Sequence, residues 1–203
     1  KWHITHADLI NPDTGLPIPT NTENGEVIEE NVKTYLEANP LEEFGFSGWV
    51  GPEPHGAPLA GNSGFIRDNL IAERVVKWLK DRYLRRESGD AEALRPFLLI
   101  ASFVNPHDIV LFPAWRRQED NPIKKSDLDP PKVPEPPTRH EDLSSKPAAQ
   151  IAYKNAYFSG YGPQSRVKKI YERNEQEYRN FYYRLHLEVD GPIDSVRKTV
   201  LEN

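Results

Sequence analysis

A run of apolar residues that ends abruptly in polar ones is the most prominent pattern along the chain. Residues 97–104 read FLLIASFV, and Asn105-Pro106-His107-Asp108 follow at once. A short apolar run bounded by prolines is typical of a strand buried on both faces, as parallel strands are in α/β proteins. Pro106 favours an extended Asn105, so the strand direction would continue into the loop. The pattern predicts a buried strand that presents His107 beyond its carboxyl end, where open α/β sheets bind ligands. The alternative is that His107-Asp108 is a polar loop pair without a role.

Helical periodicity precedes and follows this predicted strand. Apolar residues recur at helical spacing over residues 68–83, with Asp68 as a candidate N-cap. A helix followed by a strand is half of a βαβ unit and favours a parallel sheet. Residues 166–189 predict a long helix that kinks or ends just before Pro192, because proline lacks a backbone donor. A shorter helix is predicted over residues 29–37.

Glycine, proline and small polar residues dominate the remaining segments. Residues 13–15 copy the Asp-Thr-Gly triplet of aspartic proteases, but a turn is the preferred interpretation because no second triplet exists. Residues 44–64 combine breakers with an aromatic, an acidic and a histidine side chain. They could form a pocket wall or a packed surface loop. Residues 116–147 contain a proline-rich stretch that predicts a long loop lying across one domain rather than a linker.

Composition limits the classes of function. The chain has 203 residues, enough for one domain with a hydrophobic core, and its net charge of −5 argues against a nucleic-acid partner. No apolar stretch is long enough to predict a transmembrane helix. Cysteine is absent, which excludes a thiolate nucleophile and disulfides within these residues. Methionine is absent too, even at position 1, so the sequence is expected to be an internal piece of a longer protein.

Three segments together resemble the sulfatase family of the alkaline-phosphatase superfamily. Lys1-Trp2-His3 matches the core of its Gly-Lys-Trp-His motif, and residues 97–108 resemble its strand ending in Asn-Pro-His-Asp. Residues 182–201 are similar to its helix of the form Tyr-Tyr…Glu-Val-Asp…Ile…Val. The resemblance implies that residues 1–203 are the central segment of a single catalytic domain. The implied fold class is α/β, part of a three-layer αβα alkaline-phosphatase-like fold with a mostly parallel sheet.

The resemblance also implies roles for individual residues in sulfate-ester hydrolysis. Lys1 would bind substrate through the sulfuryl oxygens, where a point charge is useful. His3 and His107 would be catalytic: His3 would bond to a formylglycine nucleophile, and His107 would face the bridging oxygen of the leaving group. The complete enzyme is expected to use a divalent metal, Ca²⁺ in first place with Mg²⁺ or Mn²⁺ as alternatives. Its partner would be a small-molecule sulfate ester, with no nucleic acid and no membrane.

The chain departs from the family at the nucleophile and at the metal site. The formylglycine is made from a Cys or Ser in a Cys/Ser-x-Pro-x-Arg motif, and this sequence contains no such motif. The family's metal-binding aspartates lie before and after the matched segments. We therefore expect these residues alone to be inactive and to bind no divalent metal tightly. Two alternatives stay open: a phosphonate or phosphodiester hydrolase of the same superfamily, and a non-catalytic binding module.

Overall fold

The regular structure in the described part of the chain is helical. The computed structural model describes residues 8–53, 60–118, 132–157, 159 and 165–202. In chain order the α-helices are α1 (Glu29–Ala38), α2 (Gly64–Glu87), α3 (Phe112–Trp115), α4 (Ala148–Ala156), α5 (Ser165–Arg173) and α6 (Glu175–Leu201). Short 3₁₀ helices span Glu42–Phe44, Ala60–Asn62 and His107–Leu111.

The predicted parallel sheet is wrong for this structure. Within the described ranges there is no β-strand, and the extended pairings are two isolated bridges near the N-terminus. Residues 97–104, predicted to be a buried strand, form no regular structure, and Leu98 is 77% exposed. A strand needs a neighbouring strand for its backbone hydrogen bonds, and within the described ranges no second strand pairs with this segment. The sequence predicted a helix followed by a strand, as in half of a βαβ unit. The structure has the helix, and an extended segment follows it in place of the strand.

Helix α1 confirms the short helix predicted over residues 29–37. Acidic residues occupy its first turn, where they favour the positive end of the helix dipole, and Asn39 ends it in the left-handed conformation. Tyr35 is fully buried. Its hydroxyl donates to the carbonyl of Ile18 (3.1 Å) and accepts the amide of Leu9 (3.2 Å). These bonds fix α1 to the loops at the start of the described chain.

The Asp13-Thr14-Gly15 triplet lies in a turn, as predicted. The side-chain oxygen of Asn11 accepts the amide of Asp13 at 2.8 Å, and its carbonyl accepts the amide of Gly15 at 2.8 Å. Gly15 has φ = +68°, a conformation that glycine adopts without strain. The triplet is local turn chemistry.

Helix α2 packs against α6 to form the centre of the fold. The buried side of α2 repeats at helical spacing, and it consists of Gly64, Arg67, Asp68, Ala72, Val75 and Leu79. Asp68 is not the N-cap, since the helix begins one turn earlier and Ser63 occupies the cap position. Asp68 instead lies on the buried side of the helix. The predicted helix is confirmed, but it extends beyond the predicted range of 68–83 at both ends.

Helix α6 continues through Pro192, where a kink or end was predicted. Pro192 is buried together with Leu185 and Val189 on the side of the helix that faces the core. A proline inside a helix costs about 3 kcal/mol or more through the lost hydrogen bond and its steric clash. Burial of several apolar side chains along α6 offsets a penalty of that size. The predicted helix over 166–189 is instead interrupted at Asn174, between α5 and α6.

An aromatic cluster joins α3 to α5 and α6. The ring of Phe112, which is 1% exposed, lies 5.9 Å from Tyr171, 5.2 Å from Tyr178 and 5.7 Å from Phe181, centroid to centroid. Rings at such separations attract one another in addition to their apolar burial. The cluster fixes α3, which directly follows the 3₁₀ helix that begins at His107.

Candidate functional site

His107 lies at the start of the 3₁₀ helix His107–Leu111 and is exposed. Its backbone amide donates to the carbonyl of Val104 at 2.9 Å, which closes a tight turn over Asn105-Pro106. The extended segment before the turn and the helix after it hold the imidazole at the surface. Of the three residues predicted for the site, His107 is the one that the structure describes.

The carboxylate of Asp68 anchors the segment that leads to His107. Its Oδ1 accepts the amide of Val104 at 2.6 Å, and its Oδ2 accepts the amide of Asn105 at 3.1 Å. Asp68 is 1% exposed, so these bonds are shielded from water. Hydrogen bonds to an ionised acceptor are shorter and roughly twice as strong as neutral ones. Two consecutive amides, two and three residues before His107, are therefore bound to one rigid helix.

Asp108 makes the reverse connection, from the 3₁₀ helix back to α2. Its Oδ2 accepts the amide of Gly64 at 2.8 Å. Gly64 is the first residue of α2, and the side chain of Ser63 makes no capping bond there. Asp108 therefore caps a helix that begins 44 residues earlier in the chain. We call the two carboxylates and the amides of Gly64, Val104 and Asn105 the carboxylate latch.

The side chain of Asn105 lies directly against the first residue of α2. A Cβ atom placed on Gly64 would lie 2.4 Å from Asn105 Cγ, a distance at which no side chain fits. Asn105 is 5% exposed, and neither its amide nitrogen nor its oxygen has a hydrogen-bond partner in the structure. Gly64 is thus required for the close approach of the loop to α2.

Burial dominates the electrostatics of the latch. Removal from water raises the pKa of Asp68 to about 6, although the amides of Val104 and Asn105 act in the opposite direction. Nearby Asp108 raises the pKa of Asp68 further, and Arg67 lowers it. Burial likewise raises the pKa of Asp108, against the effect of its bond to Gly64. With a pKa of about 6, Asp68 is ionised at neutral pH at a cost in free energy, and burial disfavours the charged form of Asp108 as well.

Arg67 joins the latch to the N-terminal loops. Its guanidinium donates to the side-chain oxygen of Asn21, to Thr20 Oγ1 (3.4 Å) and to the carbonyl of Pro52 (3.3 Å). The hydroxyl of Thr20 donates in turn to the carbonyl of Gly51 at 2.6 Å. Burial lowers the pKa of Arg67, with a smaller effect in the same direction from Arg74. A positive charge therefore lies beside Asp68 on the same buried side of α2.

Lys1 and His3 lie outside the described residues, so the roles that the resemblance implies for them stay predictions. The described chain contains no group of three or more His, Asp or Glu side chains placed to hold a metal ion. The described residues therefore do not by themselves form the divalent-metal site that the sulfatase resemblance implies for the complete enzyme. Part of the segment over 44–64, for which a pocket wall and a packed surface loop were the two interpretations, lies outside the described ranges as well.

A depression of about 510 Å³ lies at the opposite end of the extended segment. It is lined by Trp78, Asp81, Arg82, Leu84 and Arg85 of α2. The guanidinium of Arg82 lies over Phe97, 4.8 Å from the ring centre, and Phe97 contacts Trp78 edge to face at 5.1 Å. Phe97 begins the segment that ends at the latch. Edge-to-face and cation–π contacts therefore hold one end of the segment on α2, and the carboxylate of Asp68 holds the other end.

Sequence reasoning missed the roles of Asp68 and Asp108. Asp68 was placed at a helix end, and Asp108 was noted only as the neighbour of His107. One signal was available: Asp68 is an acidic residue at the same helical register as Ala72, Val75 and Leu79. A carboxylate on the buried side of a helix requires hydrogen-bond donors from elsewhere in the fold.

No protein-family model, curated protein or solved structure matches the chain. No α-helix in the described ranges is long and apolar enough to cross a membrane.

Proposed function

We propose that the chain supplies the leaving-group side of the active site of a sulfuric ester hydrolase, with His107 as the general acid. The observation that carries the proposal is the exposed imidazole of His107 on a backbone fixed by buried carboxylates. A general acid must be open to the substrate and held in place. The motif Asn105-Pro106-His107-Asp108, which resembles the sulfatase sequence, lies at this position.

In the proposed reaction, the bond between sulfur and the bridging oxygen breaks as a nucleophile attacks sulfur. His107, as the imidazolium, donates its proton to the departing oxygen, so that an alcohol leaves rather than an alkoxide. Lys1 would stabilise the charge on the sulfuryl oxygens, and His3 would bond to the nucleophile, as the resemblance implies. The nucleophile and the metal would come from sequence outside these residues.

The test compares leaving groups in the full-length protein that carries this chain. Replacing His107 with Ala should lower kcat/KM for alkyl sulfates by about a hundred- to ten-thousandfold, the usual contribution of general acid catalysis. The loss for 4-nitrophenyl sulfate should be much smaller, because nitrophenolate is a stable anion. His140→Ala is the matched control, since His140 is exposed and contacts Glu135 at the surface. It should leave both rates unchanged.

Three results would contradict the proposal. An equal loss for all leaving groups would mean that His107 acts only through packing. Efficient turnover of phosphonates or phosphodiesters with no turnover of sulfate esters would assign the chain to the alternative hydrolases. Absence of turnover on every ester, with the complete protein folded, would favour a binding module.

A further inference from the structure

Asp68 bonds to the two amides that precede Pro106-His107, so its carboxylate determines the direction in which the chain approaches His107. The amide of Val104 is bound at 2.6 Å and that of Asn105 at 3.1 Å, each by a different oxygen. An ionised carboxylate offers both oxygens as acceptors. An amide or a protonated acid keeps one acceptor and turns a donor or a hydroxyl toward the second amide. The ionised form is thus the one that holds both amides.

Folding alone does not account for a charged group at this position. Asp68 is 1% exposed, and the carboxyl group of Asp108, also buried, lies nearby and raises the pKa of Asp68 further. Arg67 is the positive charge beside it, and its guanidinium is bonded to Asn21, Thr20 and Pro52. Burial raises the pKa of Asp68, which means that the fold by itself favours the neutral side chain. A buried, destabilising charge that binds the backbone next to a catalytic candidate is typical of functional positioning.

We infer that Asp68 is a positioning residue for His107: by holding the amides of Val104 and Asn105, its carboxylate fixes the turn that aims the imidazole at the leaving group. This inference rests on the proposed function. It adds a residue of α2, 39 positions before His107 along the sequence, that acts through the backbone and does not touch substrate. Asp108 completes the latch from the other side through Gly64.

The decisive variant is Asp68→Asn in the full-length protein, which keeps the shape of the side chain and removes one acceptor. Asp90→Asn is the matched control, because Asp90 also accepts two backbone amides, those of Glu92 (2.9 Å) and Ala93 (3.1 Å), at an exposed turn. Asp68→Asn should lower kcat/KM for alkyl sulfates by about a hundredfold, the usual effect of a small misplacement of a catalytic group. The loss for 4-nitrophenyl sulfate should be smaller and KM unchanged. The control should behave like the wild type.

A double-mutant cycle separates positioning from a general loss of structure. If Asp68 acts through His107, Asp68→Asn should cause no further loss in a protein that already carries His107→Ala. The Asp68→Asn single variant should have a midpoint of urea unfolding at pH 8 that is no lower than that of the wild type. Hydrogen exchange at the amides of Val104 and Asn105 should be about ten- to a hundredfold faster, as expected for a lost bond to a charged group.

The possible failures are distinguishable. Additive losses in the cycle, equal losses for both leaving groups, or a lowered unfolding midpoint at pH 8 would overturn the inference while leaving the proposed function in place. If hydrogen exchange at the amides of Val104 and Asn105 is unchanged in Asp68→Asn, the carboxylate does not hold these amides, and the inference is overturned whatever the activity. Absence of sulfate-ester turnover in the wild type would refute the proposed function, and the catalytic role of Asp68 would fall with it.

Discussion

Replacing Asp68 with Asn should change how the stability of the protein depends on pH. The usual pKa of an aspartate is 3.8, and burial raises that of Asp68 to about 6. The folded state therefore holds a proton on Asp68 at pH values where the unfolded chain has released it. The wild type loses the corresponding stability as pH rises from about 4 to about 6, in contrast to a carboxyl whose pKa is lowered by folding.

The magnitude follows from the difference between the two pKa values. At 1.36 kcal/mol per pKa unit, a rise from 3.8 to about 6 corresponds to about 3 kcal/mol. The free energy of unfolding of the wild type, minus that of Asp68→Asn, should fall by about this amount between pH 4 and pH 7. Subtracting the free energy of unfolding of the variant removes the contributions of the other titrating groups, including Asp108, because these groups are present in both proteins.

The measurement is urea unfolding followed by circular dichroism, for both proteins at half-unit steps of pH. The tryptophan fluorescence of the same samples tests whether the unfolding is two-state, since both signals should then give the same midpoint. A difference that stays constant with pH would show that Asp68 has the same pKa in the folded and unfolded states. A difference that rises with pH would show that folding lowers the pKa of Asp68, and it would refute the conclusion that burial raises this pKa.

Two further substitutions test the packing on which the site depends. Gly64→Ala should destabilise the protein by about 1–3 kcal/mol, the usual cost of overpacking, because the new methyl group would overlap Asn105. Gly191→Ala should be neutral or stabilising, because a Cβ at this position of α6 would meet no atom within 4 Å. Equal effects of Gly64→Ala and Gly191→Ala on the urea midpoint would refute the steric clash at Gly64. Phe112→Ala should cost about 3–5 kcal/mol by opening a cavity in the aromatic cluster. Leu98→Ala is the control and should have little effect on Tm, because this side chain is 77% exposed. Similar losses of Tm in Phe112→Ala and Leu98→Ala would contradict the placement of Phe112 in the core.

Local patterns in the sequence were enough to predict several elements of the fold. The spacing of apolar residues found most of α2, since a helix that buries one side must repeat every 3.6 residues. The turn at residues 13–15 followed from residue types that favour turns through their own backbone and side-chain bonds. These features depend on neighbours a few positions away, which the sequence displays directly.

The sequence did not determine whether the apolar run at residues 97–104 forms a strand. Its composition predicts burial, but a strand also requires another strand beside it, and that partner is a property of the whole fold. In the described structure the segment is extended beside α2 with Leu98 exposed. At Pro192 the sequence predicted a kink or a break, and the helix does not break there because burial along α6 outweighs the local cost of the proline.

For the candidate site, the sequence by itself determined that a histidine follows the proline turn at the end of an apolar segment. Only the tertiary structure decided what holds that histidine in place. The bonds from Asp68 to Val104 and Asn105 and from Gly64 to Asp108 join positions 36, 37 and 44 residues apart. Such contacts leave no periodicity in the sequence, since they arise when two separate elements exclude water between them and each buried carboxylate must find its donors in the other.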